Sequence, residues 1–392
     1  MLIVSLIFLA IFSFLLSSRL NKERVELTRS GYKRSSLNAH YIYSFIIWSI
    51  LLIMIVIFSS FSNFEKYLSL FFLIFTNFLL ISYFFKQGFN AKAHLESIFG
   101  ASLFLTAAIG IIITFAITLS IVFESIRFFE MVHVKEFIFG LKWNPQMAMH
   151  SEQSVSESAF GMVPVMMGTL LITFIAIAIS LPIGIMAAIY LSFYVKSKTR
   201  DVLKPLIEIL AGVPTVVYGY FAVIAISPIF KEIFSYFSID IAAESALAAG
   251  FVMGIMIIPF VLSLTDDALN SVPGHLKDSA LALGSTKSEM IRKVVLIAAA
   301  PNIAGAAILA FSRAIGETMI VAMAAGLVAK LSFNPLDSVT TATAQIVSLL
   351  IGDQEFNSPK TLAAFALALV LFIITFAFNI LALVVVRKYK RY

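Results

Sequence analysis

Cysteine does not occur among the 392 residues. Disulfides, thiolate nucleophiles and Cys-ligated zinc or iron–sulfur centres are therefore excluded, and the sequence carries no mark of its redox compartment. Charge is scarce as well: Asp, Glu, Lys and Arg make up 13% of the chain, about half the share of a soluble globular domain. Histidine is limited to His40, His94, His133, His150 and His275, spaced singly, so no ligand set for a metal emerges. No GxxxxGK(S/T) loop is present to cradle nucleotide phosphates, so an ATPase coupled to this chain would be a separate polypeptide. Hydrophobic residues, by contrast, reach 60%, with 38 Phe. That excess is too large to bury in the cores of water-soluble domains of this size, and lipid is the solvent such a composition requires.

A membrane-crossing helix takes about 20 mostly apolar residues, and nine stretches qualify: 1–18, 41–61, 67–85, 97–123, 162–191, 203–226, 245–264, 294–325 and 361–386. Continuous apolar runs such as Leu362 to Ile374 do not show the alternation of an outer-membrane barrel. The expected fold class is all-α, a polytopic membrane helical bundle of about nine transmembrane helices. With the first loop inside, twenty of the 28 basic residues fall on that side, seven on the other, and Arg313 within an apolar stretch. The positive-inside rule then puts the N-terminus outside and the C-terminus in the cytoplasm. Orientation thus accounts for the formal charge of +6, and nucleic acid is dropped as a partner. Residues 1–18 have no basic residue ahead of their apolar run and no small-x-small cleavage pattern, so a retained helix is expected there rather than a signal peptide.

The segment 265–293 is long enough to fold on its own. Ala280, Leu283 and Lys287, then Ile291 and Val294, recur at three- and four-residue spacing, which predicts one helix, a bend at Gly284-Ser285 and a second amphipathic helix entering the membrane. Periodicity alone fits an ordinary interfacial hairpin. The residues themselves resemble the EAA loop of ABC-importer permeases: Asp278, Ser279, Ala280 and Gly284 fall in its first positions, and nine residues separate Gly284 from Val294. Asp278 replaces the usual Glu, and Ile297 stands where Pro is usual, with Pro301 four residues later. The resemblance implies a coupling helix, with Asp278, Ser279, Ala280 and Gly284 docking into a cleft of an ATPase subunit.

Arg313 lies in an apolar segment, where an isolated Arg costs about 2.5–3.5 kcal/mol on insertion scales. Glu317 is one turn on, and Ala306 and Ala310 continue that face with small side chains, so a neighbouring helix or a water-filled path can approach. Two readings follow. The pair neutralises itself and fixes packing, or Arg313 is a pathway residue whose planar fork donates two parallel hydrogen bonds to an oxyanion. Within 203–226, Gly212, Pro214 and Gly219 predict a kinked helix, either for packing or as a gating hinge. Glu208 is read as a surface pair with Lys204. Trp143, before Asn144-Pro145, is either a membrane-edge anchor or part of a docking loop.

Three further stretches, PLIEILAGVPTVVYG (205–219), SRAIGET (312–318) and KWNP (142–145), together with the loop resemble the PstC family, phosphate-specific permeases of bacterial ABC importers, over residues 97–392. The resemblance implies a six-helix, type I importer-like core at 97–392 behind an N-terminal extension with three transmembrane helices at 1–96. It further implies Arg313 and Glu317 as substrate-binding residues, and as partners a homologous second permease, two ATP-binding subunits and a periplasmic phosphate-binding protein, in the bacterial inner membrane. No cofactor and no catalytic residue is expected. The rival is an ion-coupled secondary anion transporter, which would need an inverted repeat with broken helices in both halves. No such repeat is visible. A membrane-embedded enzyme lacks a nucleophile–base pair or metal cluster among the intramembrane polar residues.

Overall fold

The computed structural model describes residues 91–145, 160–351 and 357–389. The expected helices at 1–18, 41–61 and 67–85 lie outside those residues. The chain divides into two compact units, Met1–Ala116 and Ile117–Tyr392. In the first, helix α1 begins; it runs Ala91–Met131 with apolar side chains such as Leu103, Phe104 and Ile111 exposed. A helix apolar all round suits lipid contact.

In the second unit a short helix α2 (Val134–Phe139) precedes α3 (Val163–Ile189), which ends in a π-helical turn, Tyr190–Tyr194. Then come α4 (Ser197–Ala211), α5 (Thr215–Phe221), α6 (Ser227–Ser235), α7 (Ala246–Asn270), α8 (Gly274–Ala282), α9 (Lys287–Met290), α10 (Leu296–Ile315), α11 (Met319–Ala324), α12 (Ala342–Leu350) and α13 (Pro359–Tyr389). Among the described residues, six spans are long and apolar enough to cross a membrane: Glu96–Met131, Val163–Tyr194, Thr215–Ser235, Ala246–Asn270, Lys287–Ile315 and Pro359–Lys388. The all-helical membrane bundle expected from composition is the observed class.

Two expected spans are corrected. The stretch 203–226 is two helices at a break. Proline offers no N–H and disfavours helical geometry in the residue before it, so the chain leaves α4 at Gly212 and restarts with Pro214 as N-cap of α5. The membrane span is therefore Thr215–Ser235, whereas α4 is a separate amphipathic helix with no fully buried residue. The stretch 294–325 is broken too: α10 stops at Ile315, and α11 starts only at Met319.

The centre of the second unit is the parallel pairing of α3 and α7. Gly250 and Gly254, four apart on α7, meet Ile172 O, Ile175, Ala176 O and Ile179, and Gly184 on α3 meets Val261. A Cβ at Gly250 would lie 2.8 Å from Ile175 Cβ, so only glycine permits this approach. Around the pair, Ile172, Met253, Ile257, Val261, Ala310, Ala314 and Ile320 form one buried cluster. Aromatic residues Phe128, Phe137, Trp143 and Phe160 cap one end. Leu191, Leu262, Leu269, Ala280, Met290 and Val295 fill the other, which carries α4 and α8 and is called here the loop end.

A buried acid ties the loop end together. Asp266 on α7, 2% exposed at its side chain, accepts from Ser192 (2.6 Å), from Arg200 at both oxygens (2.9 Å each), from Lys204 (2.7 Å) and from Asn270 (3.1 Å). The expected Lys204–Glu208 pair is thereby replaced, since the Lys204 ammonium is committed to Asp266. Removing a buried acceptor from such a cluster leaves its cations uncompensated. Asp266→Ala is expected to destabilise the protein by about 3 kcal/mol, and Glu208→Gln to stay within about 0.5 kcal/mol. Thermal unfolding of both variants in detergent checks the difference; an equal loss for Glu208→Gln would restore the surface pair.

Candidate functional site

Depth in the bundle follows from two helix pairings. Gly305 on α10 touches Val386, three residues from the end of α13, and Arg313 lies eight residues further along α10, a rise of about 12 Å. The Arg313 guanidinium sits over the Phe260 ring, 5.3 Å from its centroid, and Phe260 is ten residues from the loop end of α7, a rise of about 15 Å. Both set Arg313 well away from the loop end, within the apolar span Lys287–Ile315. Its side chain is exposed on the chain's surface and makes no ion pair among the described residues.

The expected Arg313–Glu317 pair on one helical face is not formed. Gly316 closes α10, with Gly316 N–H donating to Arg313 O and Glu317 N–H to Ala314 O, both at 3.2 Å. Beyond the helix, the half-buried Glu317 accepts the N–H of Met319 on Oε1 (3.2 Å). Its backbone carbonyl accepts the Thr343 hydroxyl at 2.6 Å. Ala310 is fully buried within the bundle, whereas Ala306, 5% exposed, borders an open cavity of about 470 Å³ between α7, α10 and α13, with Asn302, Leu309 and Asn379. The site is therefore one guanidinium with an aromatic face beside a fixed turn in the chain.

Thr343 belongs to a polar segment that sequence reasoning passed over. Thr341 caps α12 by accepting the Ala344 N–H, and the Ala342 N–H donates to Thr169 on α3. Gln345, 6% exposed, accepts from Trp143 Nε1 (2.9 Å) and donates to Leu327 O and Thr340. Trp143 is thus a buried donor in the aromatic cap and no membrane-edge anchor. The density of hydroxyls and one amide between Thr340 and Gln345, within an apolar region, was the available signal. Past α11, Asp337 is held below the usual carboxylate range by hydrogen bonds from Ser332 and Lys330.

At the loop end, the expected helix, bend and second helix are present. Gly284 has φ +84°, its N–H donates to Leu281 O and the Ser285 N–H to Ala280 O, which closes α8 with a Schellman motif. Thr286 and Glu289 then form a capping box that starts α9 at once. A π-helical turn, Ile291–Val295, leads into α10, so Ile297 continues the helix without the usual Pro. Asp278, Ser279, Leu281 and Leu283 are exposed, Leu283 by 88%. Ala280 is not on that surface: it is 8% exposed and packs inward with Met290 and Ile291, so it sets the helix position rather than presenting a contact. The Lys204 ammonium, held by Asp266, has its pKa raised above the ordinary lysine value. Among the described residues no group of three or more His, Asp or Glu could hold a metal.

Residues 180–391 match the family described as "Binding-protein-dependent transport system inner membrane component". The "Probable ABC transporter permease protein YqgH" of Bacillus subtilis is 32% identical over 246 residues, 63% of this chain and 75% of that protein. The "Phosphate transport system permease protein PstC" of Pasteurella multocida is 34% identical over 260 residues, 61% and 75% of the two chains. The Haemophilus influenzae protein of the same name is 30% identical over 327 residues, 78% of this chain and 97% of its own. A chain of a bacterial alginate ABC transporter structure aligns at 15% identity with a TM-score of 0.49, covering 76% of this chain and 98% of that one. Six apolar spans among the described residues and these sequence matches place the chain in the family of binding-protein-dependent transport system inner membrane components, the ABC-importer permeases.

Proposed function

We propose that the chain is the phosphate-translocating permease subunit of an ATP-driven importer in the bacterial inner membrane. Its partners are a homologous second permease, two ATP-binding subunits and a periplasmic phosphate-binding protein. The observation that carries this reading is Arg313, a guanidinium within an apolar span that no carboxylate of the described residues neutralises. A passing oxyanion offsets its insertion cost, and the planar fork matches two anion oxygens. The Phe260 face is a weak partner, on the order of 1 kcal/mol, which leaves the guanidinium available. Glu317 in the adjoining turn moderates the positive charge so that the anion is released, as any conducting site requires. The PstC names of the relatives support phosphate as the cargo.

In this reading the loop end is cytoplasmic, the N-terminus external, and Asp278, Ser279 and Gly284 dock on the ATPase while Ala280 fixes the helix beneath them. Residues 1–96 are an extension outside the transport core.

Arg313→Gln is expected to abolish phosphate uptake, at least tenfold, with assembly intact, because a neutral amide is cheaper to place in the membrane than a charge. Arg313→Lys should recover part of it, having lost the bidentate fork. Uptake into proteoliposomes and complex yield are measured together; normal uptake in Arg313→Gln would remove the anion-site assignment.

Gly284 separates backbone from docking. A left-handed backbone costs a residue with a Cβ about 1–2 kcal/mol, and Asp tolerates it better than Ala; nothing within this chain lies within 4 Å of a Cβ placed there. Docking reverses that order. Gly284→Asp is expected to lose ATPase co-purification and uptake together, more severely than Gly284→Ala; the opposite ranking leaves only a backbone effect.

In the cysteine-free background, Phe333→Cys should react with an impermeant thiol reagent on intact cells and Asp278→Cys should not. Labelling at 278 would invert the topology.

A further inference from the structure

The aromatic cap and the Arg313 turn are far apart in sequence but joined by a chain of side-chain hydrogen bonds with α12 in the middle. The cap is a set of edge-to-face rings, Phe128, Phe129, Phe137 and Phe160, with Trp143 against Phe137 at 6.4 Å between centroids. It is locked to the start of α3: Gly161 N–H donates to Lys142 O at 2.8 Å and Met162 N–H to Phe137 O at 2.9 Å. The indole of Trp143 donates out of this cap to Gln345. Gln345 in turn holds Leu327 O and the Thr340 hydroxyl, so one buried amide grips the cap, the segment after α11 and the entry to α12. Two positions earlier on α12, on the opposite side of the helix, Thr343 donates to the carbonyl of Glu317. Successive helix positions differ by about 100°, so residues two apart face roughly opposite ways. The first turn of α12 is thereby a strut with the cap on one side and the turn that ends α10 on the other.

We infer that Trp143, Gln345 and Thr343 are positioning residues that relay an event on the aromatic cap to the Gly316–Thr318 turn, and so set whether Arg313 is presented for anion transfer. This rests on reading the chain as a permease driven by an external binding protein, for which the cap is the receiving end. None of the three touches the anion. Each is 8% exposed or less, so each bond exchanges with another protein group and not with water. A displaced cap must either carry Gln345 with it or leave buried polar atoms unpaired. A hydrogen-bonded element with two discrete arrangements converts a small shift at one site into a discrete change at another.

The test uses the whole complex, with second permease, ATPase subunits and binding protein, in proteoliposomes. ATP hydrolysis is measured without binding protein and with binding protein loaded with inorganic phosphate, alongside binding-protein affinity and the complex's melting temperature. Trp143→Phe, which keeps the ring and loses the N–H, and Thr343→Val, which keeps the shape and loses the hydroxyl, should each cut stimulation at least fivefold. Basal hydrolysis and binding-protein affinity should stay within twofold. Thr343→Ser should retain most of the stimulation, and Trp143→Phe with Gln345→Leu should be no worse than the weaker single variant. Basal and stimulated rates falling together with the melting temperature would make the network mere packing, and unchanged stimulation in Trp143→Phe and Thr343→Val would remove the relay. An intact wild-type complex that phosphate-loaded binding protein fails to stimulate overturns the permease reading itself, and the relay with it.

Discussion

Backbone amides and carbonyls placed in an apolar layer must find partners within the protein, since no water is there to supply them. The turn at Gly316–Thr318 is where this constraint bears hardest. A helix that ends inside an apolar region exposes its last carbonyls, and several groups here find partners: the Gly316 and Glu317 N–H groups fold back onto the Arg313 and Ala314 carbonyls, the Glu317 carboxylate takes the Met319 N–H, and Thr343, 26 residues away, caps the Glu317 carbonyl. Irregular backbone in such a region is tolerated where it is enclosed by protein or lines a cavity. The break is also what frees Arg313. Had α10 continued, Glu317 would have sat one turn above it as a built-in counter-ion.

The remaining architecture supports that turn. Glycines on α3 and α7 bring two spans to backbone contact, giving a rigid pair against which Phe260 presents its ring to Arg313. At the loop end, Asp266 gathers cations from α4 and a hydroxyl from the end of α3, so the platform beneath α8 is fixed by charge as well as by packing. On that platform a Schellman end and a capping box meet within three residues, Gly284 to Thr286, which makes the loop short and stiff. Leu281 and Leu283 are left exposed on this stiff loop.

Much of this was legible in the chain alone. Apolar length located the spans near 97–123, 162–191, 245–264 and 361–386, because a helix in lipid satisfies its own backbone and needs no distant partner, but it misplaced the one at 203–226. The three- and four-residue spacing from Ala280 to Val294 and the pair Gly284-Ser285 identified the bend and restart, since helix faces and turns are set by residues a few positions apart. Arg313 stood out because a charge in an apolar run is costly wherever the chain folds. All of these are local or compositional properties.

Tertiary structure decided the rest. At the break in 294–325 the Glu317 carbonyl is met by Thr343 from 26 residues away, a contact that helical periodicity does not encode. Lys204 could pair with Glu208 one turn on, yet the buried Asp266, 62 residues distant, is the stronger acceptor because it is shielded from water and already shaped by Ser192 and Arg200. Trp143 reads equally well as an interfacial anchor until Gln345, 202 residues away, is placed against its N–H. Sequence determined which groups needed partners, through the cost of burying them. Only the fold determined which partners they met, because that choice is made by packing between segments with no local relation to one another.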